Sequence, residues 1–303
     1  ASGMNALVSN ATGSANTALG ESAMSDNTTG NYNVAMGRYA LDANTTASNN
    51  TGIGYASLTD NTTGGANSAV GYNSLAHNTT GNHNNSLGYL ALYYNTTGAQ
   101  NTAIGSTALY ANTTATNNTA TGYNSLGANT TGYSNTAVGA YSLNSNTTGQ
   151  ENTSVGQGSL AANTTGLKMT SVGEQSLVSN TTANYNTAVG YKALQFSTTG
   201  GFNTGIGYEA GYSNTTGQYN TFLGMQCYGN AAGTSNQNVI GYGVVSAGAS
   251  LTTVGISSSK SWLGNGSQSW GGSSDERLKN NITSSTAGLS FINDLRPVTY
   301  EWK

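Results

Sequence analysis

Asn101-Thr-Ala-Ile-Gly-Ser-Thr-Ala-Leu-Tyr-Ala-Asn-Thr-Thr-Ala-Thr-Asn117 is one copy of a seventeen-residue unit that runs through most of the chain. With Asn101 as position 1, the same asparagine recurs at Asn16, Asn33, Asn50, Asn67, Asn84, Asn118, Asn135 and Asn152. It returns at Asn186, Asn203 and Asn220, and only Met169 interrupts the series. No residue is inserted or lost between Asn16 and Asn220. A strict period of this kind marks a solenoid, in which each repeat is one coil stacked on the next.

The other positions are nearly as regular. Position 4 is apolar, as in Val138, Val155, Val172 and Val189, with Thr121 as the exception. Position 5 is glycine from Gly20 to Gly224. Position 9 is leucine from Leu41 to Leu194, after Met24. Positions 12 to 14 read Asn-Thr-Thr, with Ser197 once in place of the asparagine. Alternation around position 4 predicts a short strand with that residue facing inward. The glycine predicts a bend with positive φ or a close backbone approach. Position 9 supplies a second inward group, and Asn-Thr-Thr-Gly predicts a turn held by the asparagine side chain. Helix is disfavoured, because Gly, Asn and Thr dominate every candidate segment. At about 4.8 Å per coil, thirteen parallel coils span roughly 60 Å.

A coil with two large apolar residues buries little. Burial contributes about 1.5–3 kcal/mol per aliphatic side chain, against about 1–2 kcal/mol per residue of backbone entropy. The thin core therefore predicts that neighbouring chains complete it, and a parallel homotrimer is the expected assembly.

Composition excludes several classes. Of 303 residues 6% are charged and the net charge is −3, so no basic stripe offers a nucleic-acid surface. No apolar run approaches the roughly 18 residues of a membrane helix, so no membrane insertion is expected. The single cysteine, Cys227, rules out an intrachain disulfide framework and reads as a small buried side chain. Ala1 already lies inside a repeat, as in a fragment or processed product.

The motif Asn-Thr-Ala-Val-Gly-(x)₃-Leu, as in Asn135 to Leu143, resembles the left-handed parallel β-roll repeats of trimeric autotransporter adhesin heads. Those repeats are usually fourteen residues long, and the Asn-Thr-Thr-Gly turn looks like a three-residue extension. The full unit resembles repeats in tail-fibre proteins of phages, notably marine cyanophages. This resemblance covers roughly residues 1–250.

Beyond it, Trp262, Gly264, Gly266, Trp270, Gly271 and Gly272 read as a neck over 251–272. Charge density then jumps: residues 1–272 carry eleven charged side chains and residues 273–303 carry eight. Ser274-Asp-Glu-Arg-Leu-Lys-Asn-Asn-Ile282 predicts a short helix or turn, Thr286 to Leu295 a second helix, and Arg296 to Trp302 a strand. This segment, with Leu295-Arg-Pro-Val-Thr-Tyr-Glu-Trp302, resembles the start of the intramolecular chaperone domain of endosialidases and related phage fibres. In that family the domain trimerises, templates the fibre and cuts itself off. The resemblance implies Ser274 as nucleophile, Lys279 as its base, and a scissile bond just before Ser274. The bland alternative makes Ser274 a helix cap and Lys279 a solvated charge.

Other constellations are thin. His77 and His83 lie near turns without a cysteine or carboxylate cluster, so no metal is expected. The acids are scattered, and no pair is selected for glycoside cleavage. Tyr55, Tyr72, Tyr89, Tyr123, Tyr191 and Tyr208 follow the repeat glycine and predict an axial stripe, for packing rather than for sugars. The Asn-Thr-Thr triplets match the N-glycosylation acceptor pattern, although turn formation explains them.

The reading is an all-β protein: a parallel β-solenoid or β-roll fibre of residues 1–250, a neck at 251–272, and a short α/β segment at 273–303 that begins a chaperone domain. The expected function is a structural tail-fibre protein of a phage virion, displaying a host-attachment surface to a cell-surface glycan or protein. The alternative is a cellular extracellular adhesin or self-assembling filament. No cofactor and no turnover enzyme is expected, only a single self-cleavage.

Overall fold

The computed structural model describes residues 1–264 and the backbone of residues 271–272. Its regular part is a parallel β-solenoid. Thirteen three-residue strands, from β1 (Thr17–Leu19) to β13 (Thr221–Leu223), occupy positions 2 to 4 of successive coils. Each pairs in parallel with the strand seventeen residues on: Thr136 faces Thr153, and Val138 faces Val155. The described residues contain no α-helix.

The inward faces differ in part from expectation. Leu41, Leu75, Leu109, Leu143 and Leu177 at position 9 are fully buried, as the periodicity predicts. The strand, however, turns position 3 inward, with Ala103, Ala120 and Ala137 fully buried. Position 4 therefore faces out: Leu87 is 50% exposed, Ile104 42% and Val138 37%. Val189 is likewise exposed, and Val155 and Val172 are half-buried. The expected inward valine column is thus an outward one. The reason is steric. One leucine, two small residues and two asparagines already fill a seventeen-residue coil, and adjacent strand residues must face opposite sides.

Position 5 behaves as its glycine requires. Gly122 has φ +131°, and an added Cβ would lie 2.6 Å from the carbonyl carbon and oxygen of Gly139 one coil on. Positions 7, 9 and 17 also lie in the left-handed region, although few are glycine: Thr107 has φ 56°, Leu109 50° and Asn117 60°. Left-handed backbone costs about 1–2 kcal/mol per non-glycine residue. The return is a peptide path whose polar groups point along the axis. The N–H of Thr107 donates to Tyr89 O in the preceding coil, and the N–H of Leu109 donates to Ser125 O in the following one. Coils are thus bonded to each other around the turns as well as through the strands.

Two buried asparagine columns complete the stack. At position 1, each Oδ1 accepts the backbone N–H of the next column member. Asn118 N–H donates to Asn101 Oδ1 at 3.0 Å, and Asn118 Nδ2 donates to Gly132 O at 2.9 Å. At position 12, each amide donates to its neighbour: Asn112 Nδ2 to Asn95 Oδ1 at 2.8 Å, and Asn129 Nδ2 to Asn112 Oδ1 at 3.1 Å. This ladder runs unbroken from Asn10 to Asn163. Buried polar groups are tolerable here because they are paired.

Met169 interrupts both columns. Its N–H still donates to Asn152 Oδ1, but it offers no amide oxygen to Asn186. Its sulfur takes the Nδ2 of Asn180, which the ladder would direct to Asn163. Met169→Asn is expected to join the columns and raise stability by about 1 kcal/mol, the net worth of a hydrogen bond. Thermal unfolding of the two proteins checks this; a lower melting temperature in the variant would show that thioether packing outweighs the lost amide bonds.

The register tightens after β14 (Asn238–Tyr242). β15 (Leu251–Ile256) pairs with it in parallel, with Val254 opposite Ile240. β16 (Ser259–Gly264) then turns back antiparallel on β15, so a hairpin occupies most of the expected neck and ends the parallel progression. A two-residue strand, Gly271–Gly272, follows. Residues 1–264 belong to a unit that ends at Gly271. The expected C-terminal helices and strand lie outside the described residues.

Candidate functional site

The first functional feature is a face rather than a pocket. Outward positions 2 and 4 of the strands set a column of mostly threonine beside a column of Leu, Ile and Val along the solenoid. Beside them, position 6 carries the predicted tyrosine stripe as two separate stacked runs, with Tyr123 outside both and edge-on to Tyr141. Tyr55 and Tyr72 stack at 5.2 Å between ring centroids, Tyr72 and Tyr89 at 5.5 Å, and Tyr191 and Tyr208 at 5.4 Å. A further stack, Tyr185, Phe202 and Tyr219 at position 17, follows the same rule with spacings of 4.8 and 5.0 Å. In each stack the ring faces cover one another, so these rings tie coil to coil.

Side-chain pairs obey the period too. Glu21 meets Arg38 at 3.1 Å, Asp60 meets His77 at 2.6 Å, and Glu151 lies 3.8 Å from Lys168. Each pair is seventeen residues apart. Reading the acids as scattered missed these pairs, and the signal that finds them is the period itself: what i, i+4 is to a helix, i, i+17 is here. Among the described residues, no group of three or more His, Cys, Asp or Glu gathers to hold a metal.

The glycosylation pattern meets a structural obstacle. Asn27 and Asn95 are fully buried, and each Nδ2 donates to two oxygens. A glycan on that nitrogen would sever the ladder, so the folded coil does not accept one. Cys227 is buried at position 8, with Sγ 3.0 Å from Gly241 O, and burial raises its thiol pKa. A protonated, enclosed thiol of this kind is a packing group rather than a nucleophile.

Ser274 and Lys279 lie outside the described residues. No helix among the described residues is long and apolar enough to cross a membrane. No curated protein matches the chain, and no solved structure matches it. Residues 274–303 match the family model described as chaperone of endosialidase, a match that begins at the very serine on which the expected dyad rests.

Proposed function

We propose that this chain is the shaft of a trimeric phage tail fibre, that it displays a host-attachment surface, and that it is matured by self-cleavage before Ser274. The observation that carries the proposal is the order of parts: a rigid solenoid, a hairpin that ends its progression, then a chaperone-of-endosialidase segment from residue 274. The outward aliphatic column supports assembly. Three chains packing their position 4 faces around one axis would cover apolar surface that a single chain leaves in water.

Assembly and chemistry are then coupled. In a dry trimer interface, desolvation holds the Lys279 amine neutral, and its Nζ takes the Ser274 hydroxyl proton. Oγ attacks the Ser273 carbonyl carbon. The peptide C–N bond breaks as the Ser274 nitrogen leaves with a proton, and an ester forms. Water hydrolyses the ester to a Ser273 carboxylate and restores the serine hydroxyl.

The test is the full-length precursor and its variants on denaturing gels, with mass determination of the new terminus and native mass of the assembly. The wild type is expected to release its C-terminal part with Ser274 at the new N-terminus. Ser274→Ala and Lys279→Ala are expected to trimerise uncut. Efficient cleavage of Ser274→Ala would remove the nucleophile assignment, and a stable folded monomer would remove the trimer.

A further inference from the structure

Positions 10 and 11 carry aromatic rings in two places, a pair at Phe196 and Tyr212 and a larger group in the fourth to sixth coils. Positions 10 and 11 carry Ala76 in the fourth coil, Gly127 and Ala128 in the seventh, and Ala161 and Ala162 in the ninth. Between the fourth and sixth coils the same positions carry His77, Tyr93, Tyr94 and Tyr110. The backbone bonding between coils does not depend on these side chains. Tyr94 N–H donates to Tyr110 O at 3.1 Å, and Ala128 N–H makes the equivalent bond to Asn144 O at 3.0 Å.

The four rings combine two axial stacks with edge contacts between them. Tyr93 lies parallel to Tyr110 at 5.6 Å, and His77 lies nearly parallel to Tyr94 at 5.9 Å. The two pairs stand almost perpendicular: Tyr93 meets Tyr94 at 4.7 Å and 74°, and Tyr94 meets Tyr110 at 5.1 Å and 76°. Neighbouring Tyr94 raises the Tyr110 phenol pKa, first through a hydrogen bond and then with burial. Asp60 holds His77 Nδ1, and His77 Nε2 makes no hydrogen bond among the described residues. The site is open, with the Asp60 and His77 side chains 50% and 40% exposed.

We infer that Asp60, His77, Tyr93, Tyr94 and Tyr110 form a subsite for a pyranose unit of a surface polysaccharide. The inference rests on the attachment reading above and assigns it a ligand class and a place. Aromatic surface accepts the C–H face of a sugar ring, while the carboxylate, imidazole Nε2 and phenol groups bond to its hydroxyls. An open patch of this size binds one sugar weakly. A fibre presenting one copy per chain to a repeating polymer gains the rest through simultaneous engagement.

The test is saturation-transfer NMR on the full chain with the methyl glycosides of glucose, galactose, mannose and N-acetylglucosamine, alongside adhesion of the same protein to a panel of bacterial cells. Transfer is expected to at least one glycoside. Tyr94→Ala with Tyr110→Ala is expected to weaken it about tenfold, the equivalent of one or two ring contacts. His77→Gln, which leaves the rings in place, is expected to weaken it about threefold, a single modest hydrogen bond. Tyr191→Ala with Tyr208→Ala, which strips an axial stack, is expected to leave it within about twofold. Circular dichroism establishes that each variant is folded. Transfer from none of the four glycosides overturns the inference, as does undiminished transfer in both site variants or equal loss in the Tyr191 and Tyr208 control. Cell adhesion by a wild type that binds no glycoside would sink this site and leave the attachment reading standing. Glycoside binding without cell adhesion would do the reverse.

Discussion

Gly122→Ala is expected to destabilise the solenoid by about 3 kcal/mol or more, the combined cost of a backbone region open chiefly to glycine and of a steric clash. The added methyl would sit 2.6 Å from the Gly139 carbonyl, and relief requires the two coils to move apart. Separation there lengthens the bond from Gly139 N–H to Thr121 O and the strand pairing beside it. Because each coil contacts mainly its neighbours, the damage divides the stack, and thermal unfolding is expected to split into two steps. Gly65→Ala is the control. It lies at position 16, where the chain itself uses Ala99, and an added Cβ would meet nothing nearer than Ser48 O at 3.3 Å, so it is expected to cost about 1 kcal/mol or less. Equal losses in the two variants, measured by circular dichroism melting, would show that the approach at position 5 is not what constrains that residue.

A second large effect is expected for Asn112→Asp. Asn112 Nδ2 donates to Asn95 Oδ1 at 2.8 Å and to Ala115 O at 3.2 Å, and its Oδ1 accepts Asn129 Nδ2. A carboxylate keeps the acceptor but sets a charge against two oxygens in a fully buried column. The expected loss at neutral pH is about 3–5 kcal/mol, the cost of an uncompensated buried charge. Burial among acceptors raises the folded pKa of such a group above the unfolded value of about 3.9. The variant is therefore relatively stable below about pH 3.9, where both states are protonated. It loses stability as pH rises from there through the raised folded pKa. Asn112→Ala, which carries no charge, should show a smaller loss without this pH dependence. Melting both variants at acid and neutral pH separates the cases; a pH-independent deficit in Asn112→Asp would mean that water reaches the column.

How much of this was legible in the sequence follows from what each residue must do. The period, the bend at Gly122, the inward Leu109 and the Asn-Thr-Thr turn were readable because each needs a particular side chain. The outward direction of Val138 was not. Apolarity alone points to burial, and only the volume of a coil already filled by Ala137, Leu143 and two asparagines decides otherwise. The left-handed backbone at Leu109 and Thr107 carries no sequence mark, since the propensity of either residue argues against it and the bonds to Tyr89 and Ser125 overrule that propensity. Asn112 was read as a local turn residue, and it is one through Ala115 O, but its larger role in the column appears only when coils are stacked. The Asp60–His77 pair was hidden by distance along the chain and is plain once seventeen residues are read as adjacency. For Ser274 and Lys279 the sequence resemblance and the family match agree on where the segment begins, and the chemistry awaits the precursor.

The asparagine columns have a consequence for heredity. Apart from the coil of Met169 and the turn of Ser197, each coil offers its neighbours the same donors and acceptors in the same places, so those junctions are interchangeable. Loss of residues 102–118 would seat the coil of Asn135 on the coil of Asn101 with every column still in line. Gain or loss of whole seventeen-residue units here would give foldable proteins differing by whole coils. The reach of the molecule is thus a trait that a lineage can change in steps of about 4.8 Å, while the Tyr94 cluster is carried intact wherever the exchanged coils lie outside residues 60–110.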